Sequence, residues 1–500
     1  MSVAAGLMAL FGAWTRPVWH DELYTLALAR LPLPDLIEAL RVDSGPPLHY
    51  LICRGLFAVL GWPEGSQLGT VAVRLPSVAA FAAMPWIVWL WARRRPIVRL
   101  LGPLLTVVWL PMLYFATEAR VYALLALING VLWLLGPRLI AAGAVGLSFF
   151  AVLAAALPLL HFTGSVSLLL LAMLFFVVPT DRRRPFAFTY AAALVPLALW
   201  SPIMFAAPEH SMAWVDTMSG PGRPGVASLQ VMSPAGPFPA LFRGPEAPIS
   251  PVASTMALML IGVGAAAGAT VLQRGSGFDR ELVWTYLGLL PVAVLASASL
   301  VGLPVYFAGR SESMVWLPVV SVLAVLVGAL PRSGRLLAGG PYVVIGLAVS
   351  LIWLGALPDH PRPAGVEIGH ELARAATDGD VVVIAGLWQL EIEHGLAEAA
   401  ITTGSELPRR LPVMTIPRSQ SDHPGWLDLE AIYSPDLIEE ARQLETDMSE
   451  RGARIWLVYS PLLPLQDFFF PAFADWQRLP VAAHPVVAVD LLTRLPGQRS

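Results

Sequence analysis

Val18-Trp19-His20-Asp21-Glu22-Leu23-Tyr24 places two adjacent carboxylates directly after the first apolar run and ahead of a long segment of mixed polarity. A buried Asp in a bilayer costs roughly 2.5–3.5 kcal/mol on insertion scales, so an acid pair at the mouth of a membrane bundle is expected to face a cavity and act there. The plainer alternative is that Asp21 and Glu22 only mark the membrane surface. It is disfavoured because Glu118 and several arginines recur at the same expected membrane face.

Outward from that stretch the chain is strongly apolar. Hydrophobic residues make up 56% of its 500 residues, charged residues only 13%, and the mean hydropathy is +0.66. Repeated apolar runs of about 20 residues are what a bilayer demands, so the fold class is a polytopic α-helical membrane protein. A net charge of −3 and the absence of a basic groove interleaved with aromatics argue against a nucleic-acid partner. All 32 basic residues are Arg and none is Lys. An anionic ligand is therefore held by guanidinium, which suits bidentate phosphate recognition, and lysine nucleophiles are excluded. The single Cys53 excludes an internal disulfide, and the nine His show no HxxxH-type spacing, so a structural zinc is not expected.

Residues 2–14 form a short first apolar run without the basic region and cleavage site of a signal peptide. Residues 15–74 read as a large first external loop, with an interfacial helix at Leu33–Leu40 and a second apolar helix from Pro46 to Trp62. Spans are expected at about 75–92, 100–116, 119–136, 139–160, 164–178, 186–206, 251–272, 282–302, 313–330 and 336–357, about eleven with the first run. Arg93, Arg94, Arg95, Arg99, Arg138, Arg182, Arg183, Arg184, Arg274, Arg280, Arg332 and Arg335 all fall on one side, which is then the cytoplasm. The 15–74 loop, the turns at Glu118, His161 and Arg310, the Pro/Gly-rich loop 207–250 and everything after Leu357 lie on the other side. Two domains result, a transmembrane domain 1–357 and an extracytoplasmic α/β domain 358–500. In the latter, 380–384 and 454–458 read as buried strands around a helix capped by Ser434 and ended by Gly452. No glycine-rich phosphate loop supports nucleotide binding there.

Four polar groups share the external face: Asp21-Glu22; Pro46-Pro47-Leu48-His49-Tyr50; Thr117-Glu118-Ala119-Arg120-Val121-Tyr122; and Gly309-Arg310-Ser311-Glu312, with His161 at another turn. A carboxylate can align and deprotonate a hydroxyl acceptor, and Arg can neutralise a phosphate leaving group. This chemistry describes sugar transfer from a lipid phosphate.

The order W-x-D-E, P-P-L-x-Y, R-x-P-S at Arg74-Leu75-Pro76-Ser77 and E-A-R-x-Y resembles bacterial GT-C glycosyltransferases of the protein O-mannosyltransferase and aminoarabinose-transferase type. As topology the resemblance covers roughly residues 1–357; its specific motifs lie mainly in the first 125. It implies a polyprenyl-phosphate sugar donor, an active site on the non-cytoplasmic face of the bacterial inner membrane, inversion at the anomeric carbon, and a glycan, lipid or protein acceptor. Carried over to this chain, the resemblance makes Asp21 the catalytic base or acceptor-orienting group with Glu22 beside it and Glu118 the second acid, with Arg120 and Arg310 as candidates for the donor phosphate and His49, Tyr122 and His161 for secondary polar contacts.

Plainer roles compete: Arg120 as a snorkelling helix-end charge, His161 as a ligand of backbone or lipid, and Tyr122 as an aromatic-belt residue. Arg74 reads as structural. The chain departs from the family in its short first run and in lacking Lys, which serves phosphate in some relatives. The hard oxygens of Asp21 and Glu118 suit a divalent cation, Mg²⁺ or Mn²⁺, on which relatives differ. From a different class, a transporter or flippase would use intramembrane acids as an ion path. It predicts mid-span charges and paired broken helices, whereas the acids here stay at one face and no inverted halves are evident. A membrane anchor for the 358–500 module would leave the many spans without a purpose.

Overall fold

A computed structural model describes residues 1–43, 45–205, 280–300, 305, 310–406, 410–422, 425, 429–432, 434–461, 463, 465–483 and 487–494. The expected loop 207–250, the span 251–272 and Gly309 lie outside them. The described chain is mostly helical and divides into two compact units. One comprises Met1–Arg16, Ser44–Ile52 and Arg74–Asp359; the other comprises Pro17–Asp43, Cys53–Val73 and His360–Ser500. The expected division put the first loop with the membrane domain. Most of that loop instead shares a unit with the C-terminal α/β segment.

In chain order the helices are α1 (Ser2–Thr15), α2 (His20–Arg30), α3 (Leu33–Asp43), α4 (Leu48–Leu60), α5 (Gln67–Trp91), α6 (Pro96–Val107), α7 (Leu110–Ala116), α8 (Tyr122–Ala141), α9 (Ala144–Leu160), α10 (Phe162–Leu170), α11 (Thr180–Phe205), α12 (Arg280–Leu287), α13 (Leu290–Leu300), α14 (Trp316–Ala329) and α15 (Arg332–Ala356).

In the first unit, α1 buries Ala5, Ala9, Gly12 and Ala13. This stripe of small residues about one turn apart allows close helix approach where no hydrophobic effect drives association within lipid. Polar side chains also tie helices together: the Trp133 indole of α8 donates to Ser167 Oγ of α10 at 2.9 Å, and that hydroxyl donates to Asn129 Oδ1. The expected span 100–116 is not one helix, because α6 and α7 meet at a 53° bend. Pro111, in the first turn of α7, has no N–H for the carbonyl of Val107 and so ends the ladder there.

Among the described residues, five helices are long and apolar enough to cross a membrane, or six if the bent pair is one span. The count of about eleven is not reached by that measure. Several expected spans appear as helices of 10–17 residues, including Ser2–Thr15 and Ala144–Leu160, and another lies outside the described residues.

The second unit adds α16 (Ala364–Ala375), β1 (Val381–Ala385), α17 (Gln389–Thr403), β2 (Val413–Thr415), α18 (Asp436–Arg451), β3 (Ile455–Tyr459), α19 (Leu465–Ala472), β4 (Trp476–Ala483) and β5 (Ala488–Arg494). The sheet order is β2-β1-β3-β5-β4. β1 runs parallel to β2 and β3, while β5 runs antiparallel to β3 and β4. Period-2 alternation sends Val381, Val383 and Ala385 into a core with α18 and α19, and Val382 and Ile384 into a core with α16 and α17. Helices on both faces explain why β1 and β3 are apolar and buried throughout. Ser434 Oγ accepts the Asp436 N–H at 3.2 Å, and Gly452 ends α18 with φ +62°, a conformation open to glycine without steric strain.

Candidate active site

The candidate residues fall in both units, and each group is built separately. In the first unit, the Thr117–Val121 turn joins α7 to α8 and is anchored by Arg16 and by residues of two other motifs. Arg16, at the C-terminal cap of α1, donates from Nη2 to Glu118 Oε1 at 2.7 Å and to the Tyr114 hydroxyl at 2.9 Å, and from Nη1 to Thr117 Oγ1 at 3.1 Å. Its guanidinium also stacks on the Tyr114 ring, 4.2 Å from the centroid. Arg74, fully buried, donates to the carbonyls of Ala13 at 2.7 Å and Arg16 at 2.8 Å. It thereby satisfies open carbonyls at the end of α1, a favourable place for a cation.

One turn later on α5, Ser77 donates to the Arg120 carbonyl at 2.9 Å. His49 lies with Nε2 3.1 Å from the Ala119 carbonyl, which requires an Nε2–H donor. The R-L-P-S and P-P-L-H-Y motifs therefore act on the backbone of the E-A-R-x-Y turn. His49, expected as a secondary polar contact, is buried against that turn.

Beyond the turn the remaining residues of this unit converge. The Tyr122 and His161 rings lie 5.5 Å apart, and the Arg310 guanidinium stands 5.6 Å from the Tyr122 centroid. Arg120 and Arg310 are both within electrostatic reach of the His161 ring, whose Nδ1 accepts the Thr163 N–H at 3.3 Å. Thus Arg120, Tyr122, His161 and Arg310, brought from three separate turns, form one buried to half-buried cationic and aromatic cluster. Two guanidiniums beside rings that offer hydrogen-bonding groups can hold a phosphate.

In the second unit, α2 begins at His20 with Trp19 as its extended N-cap, so Asp21 and Glu22 occupy the first turn. Carboxylates there are favoured by the positive helix end by about 0.3–1 kcal/mol. Their environments differ, since Glu22 is fully buried while Asp21 is half-buried and can be reached. His20 is tied in on both sides, with Nε2 3.2 Å from the Gly425 carbonyl and Nδ1 3.8 Å from Glu391 Oε1. Burial raises the Glu391 carboxyl above its ordinary value, against the opposing pull of His20 and of the Gly365 N–H.

Arg16 and Glu391 escaped the sequence reading. No local pattern links Arg16 to Glu118, 102 residues on, although its place at the end of an apolar run was a signal. As ligands for a divalent cation, the residues present fit poorly. Glu118 is paired with a guanidinium, and among the described residues no group of three or more His, Cys, Asp or Glu could hold a metal.

No protein-family model matches the sequence, and no curated protein matches it. Among solved structures, the chain is similar to ArnT from Cupriavidus metallidurans bound to undecaprenyl phosphate, with a TM-score of 0.59 and 14% identity, covering 98% of this chain and 97% of that one. The apo state of the same ArnT aligns over the same shares at 15% identity with a TM-score of 0.49. The chain therefore has the fold seen in this ArnT structure.

Proposed function

We propose that the protein is an integral-membrane glycosyltransferase that moves a sugar from a polyprenyl-phosphate donor to an extracytoplasmic acceptor with inversion. The observation that carries this is the convergence of Arg120 and Arg310 on Tyr122 and His161, in a fold whose solved representative binds undecaprenyl phosphate. In this reading Asp21 accepts the proton of an acceptor hydroxyl. The freed oxygen attacks the anomeric carbon, and the bond from that carbon to the phosphate oxygen breaks. The polyprenyl phosphate leaves with its charge neutralised by Arg120 and Arg310. Glu22 shapes the first turn from its buried position, and Glu118 acts through Arg16 to hold the turn that presents Arg120.

The arginine-rich loops on one side support an orientation with α2 and the C-terminal α/β segment outside the cytoplasm, in a bacterial inner membrane. The transporter alternative calls for charge at a broken helix, yet the bent pair holds no charged residue between Leu100 and Ala116. The test is turnover by purified protein in nanodiscs given polyprenyl-phosphate sugars, read as release of polyprenyl phosphate. Arg310→Ala should raise the donor KM about 10-fold or more, the loss expected of a charge-assisted contact of roughly 1.5–3 kcal/mol. A donor KM unchanged in both Arg310→Ala and Arg120→Ala sinks the phosphate assignment.

A further inference from the structure

Glu391 belongs to none of the motifs, yet it reaches His20 of the acidic motif from the far end of the chain. It sits in the first turn of α17, buried. Its Oε2 accepts the Gly365 N–H at 3.0 Å, which fixes the carboxylate and turns Oε1 toward His20 Nδ1 at 3.8 Å. On the opposite edge of the ring, Nε2 must carry its hydrogen to meet the Gly425 carbonyl at 3.2 Å. Two separate pieces of the C-terminal segment therefore engage the two nitrogens of the residue next to Asp21.

The same face of α2 is gripped again one turn on. Tyr24, at i+4 from His20, lays its ring on Gly425, where an added Cβ would come within 3.0–3.2 Å of the ring carbons. The 61–66 stretch of the first loop also seats on α17: at Gly65, φ +67°, an added Cβ would lie 2.5 Å from the Glu398 backbone nitrogen. Apolar packing alone lets a short helix rotate about its axis. The hydrogen bond from His20 Nε2 to the Gly425 carbonyl is directional and resists that rotation, the Glu391 carboxylate adds an electrostatic contact at the other ring nitrogen, and Asp21 follows about 100° further round the same turn.

We propose that Glu391 is a positioning residue that, through His20, sets the direction in which α2 presents Asp21, and that this is a task of the C-terminal α/β segment in the reaction. The inference rests on the transferase reading of Asp21. A misplacement on the order of 1 Å at a catalytic group costs about 10²-fold in rate, so the consequence belongs in kcat.

The test uses the full-length protein in nanodiscs with Glu391→Ala, Glu391→Gln and Gly425→Ala. Hydrogen exchange is followed at α2 and at α18, and kcat and donor KM are measured with a polyprenyl-phosphate sugar. In Glu391→Ala, exchange should rise at α2 and stay unchanged at α18, with kcat down about 10- to 100-fold and donor KM unaltered. Glu391→Gln keeps an oxygen for Gly365 and the reach to His20, and should restore most of kcat. Gly425→Ala displaces Tyr24 without touching Glu391 and should repeat the loss in kcat. The positioning role is overturned by unchanged exchange at α2 in Glu391→Ala, by equal loosening of α18, or by a Gln variant as impaired as Ala. A wild-type protein with no transfer overturns the transferase reading instead, and the exchange data still decide whether Glu391 holds α2.

Discussion

Arg16 and Glu118 form an ion pair of 2.7 Å across 102 residues of sequence, and both side chains are largely withdrawn from solvent. The pair joins the end of α1 to the turn that carries Arg120. It is the tie that makes a candidate phosphate ligand and the first apolar helix parts of one structure.

Removing one member of a buried pair destabilises by roughly 3–5 kcal/mol, because the other charge stays buried without its counter-ion. Arg16→Ala should therefore lower the unfolding temperature of the purified protein markedly. A double variant, Arg16→Met with Glu118→Leu, should lower it less, because no charge is left behind. A double variant no more stable than Arg16→Ala contradicts this account of the pair.

A second polar lock sits in the α/β segment. Asp380 accepts from Arg454 Nε at 2.8 Å and Nη2 at 2.7 Å, from the Trp456 indole at 2.9 Å and from the Thr377 N–H at 2.9 Å. Burial by itself raises this carboxyl, but the bonds from Arg454, Thr377 and Trp456 outweigh it and hold the pKa below the ordinary value. A depressed carboxyl stabilises the fold above its unfolded pKa of about 4, and that contribution fades as pH falls through and below this value. Asp380→Asn should cost about 1–3 kcal/mol at pH 7, nearer the low end because Arg454 is 39% exposed. Thermal unfolding of both proteins between pH 7 and pH 3 should show the gap closing at the acid end. A gap that widens toward low pH reverses the sign and rules the account out.

Orientation is open to chemical labelling. After replacement of the buried Cys53, a cysteine at Arg184 should be protected from an impermeant thiol reagent added to intact cells, and one at the exposed Gln443 should react. The opposite pattern inverts the topology and removes the extracytoplasmic site.

Much of this was legible from local chemistry. The unbroken apolar runs Val381–Ala385 and Ile455–Tyr459 read as buried strand because both faces of the sheet are covered. Gly452 announces the end of α18 because capping depends only on near neighbours, and Ser434 marks its start to within one residue, the N-cap being Pro435 with the Ser434 hydroxyl accepting the Asp436 N–H. The break between α6 and α7 was signalled by Pro111 but hidden by an unbroken apolar run, which registers hydropathy and not hydrogen bonding. Contacts that span hundreds of residues leave no periodic trace. His20 meeting Glu391 and Gly425, or His49 meeting the Ala119 carbonyl, follow only once the helices are assembled. The motifs around Arg74 and Ser77 were visible, but their work on the backbone of Ala13, Arg16 and Arg120 was not.

The central claim is that Asp21, and not the buried Glu22 beside it, is the base of a lipid-phosphate sugar transfer. Asp21→Asn keeps the size of the half-buried side chain and removes its negative charge. Measured with purified protein and a polyprenyl-phosphate sugar, it should cut turnover by about 10²–10⁴-fold while thermal stability and donor KM stay near wild type. An Asp21→Asn protein that keeps more than about a tenth of wild-type turnover falls outside the general-base range and contradicts the claim.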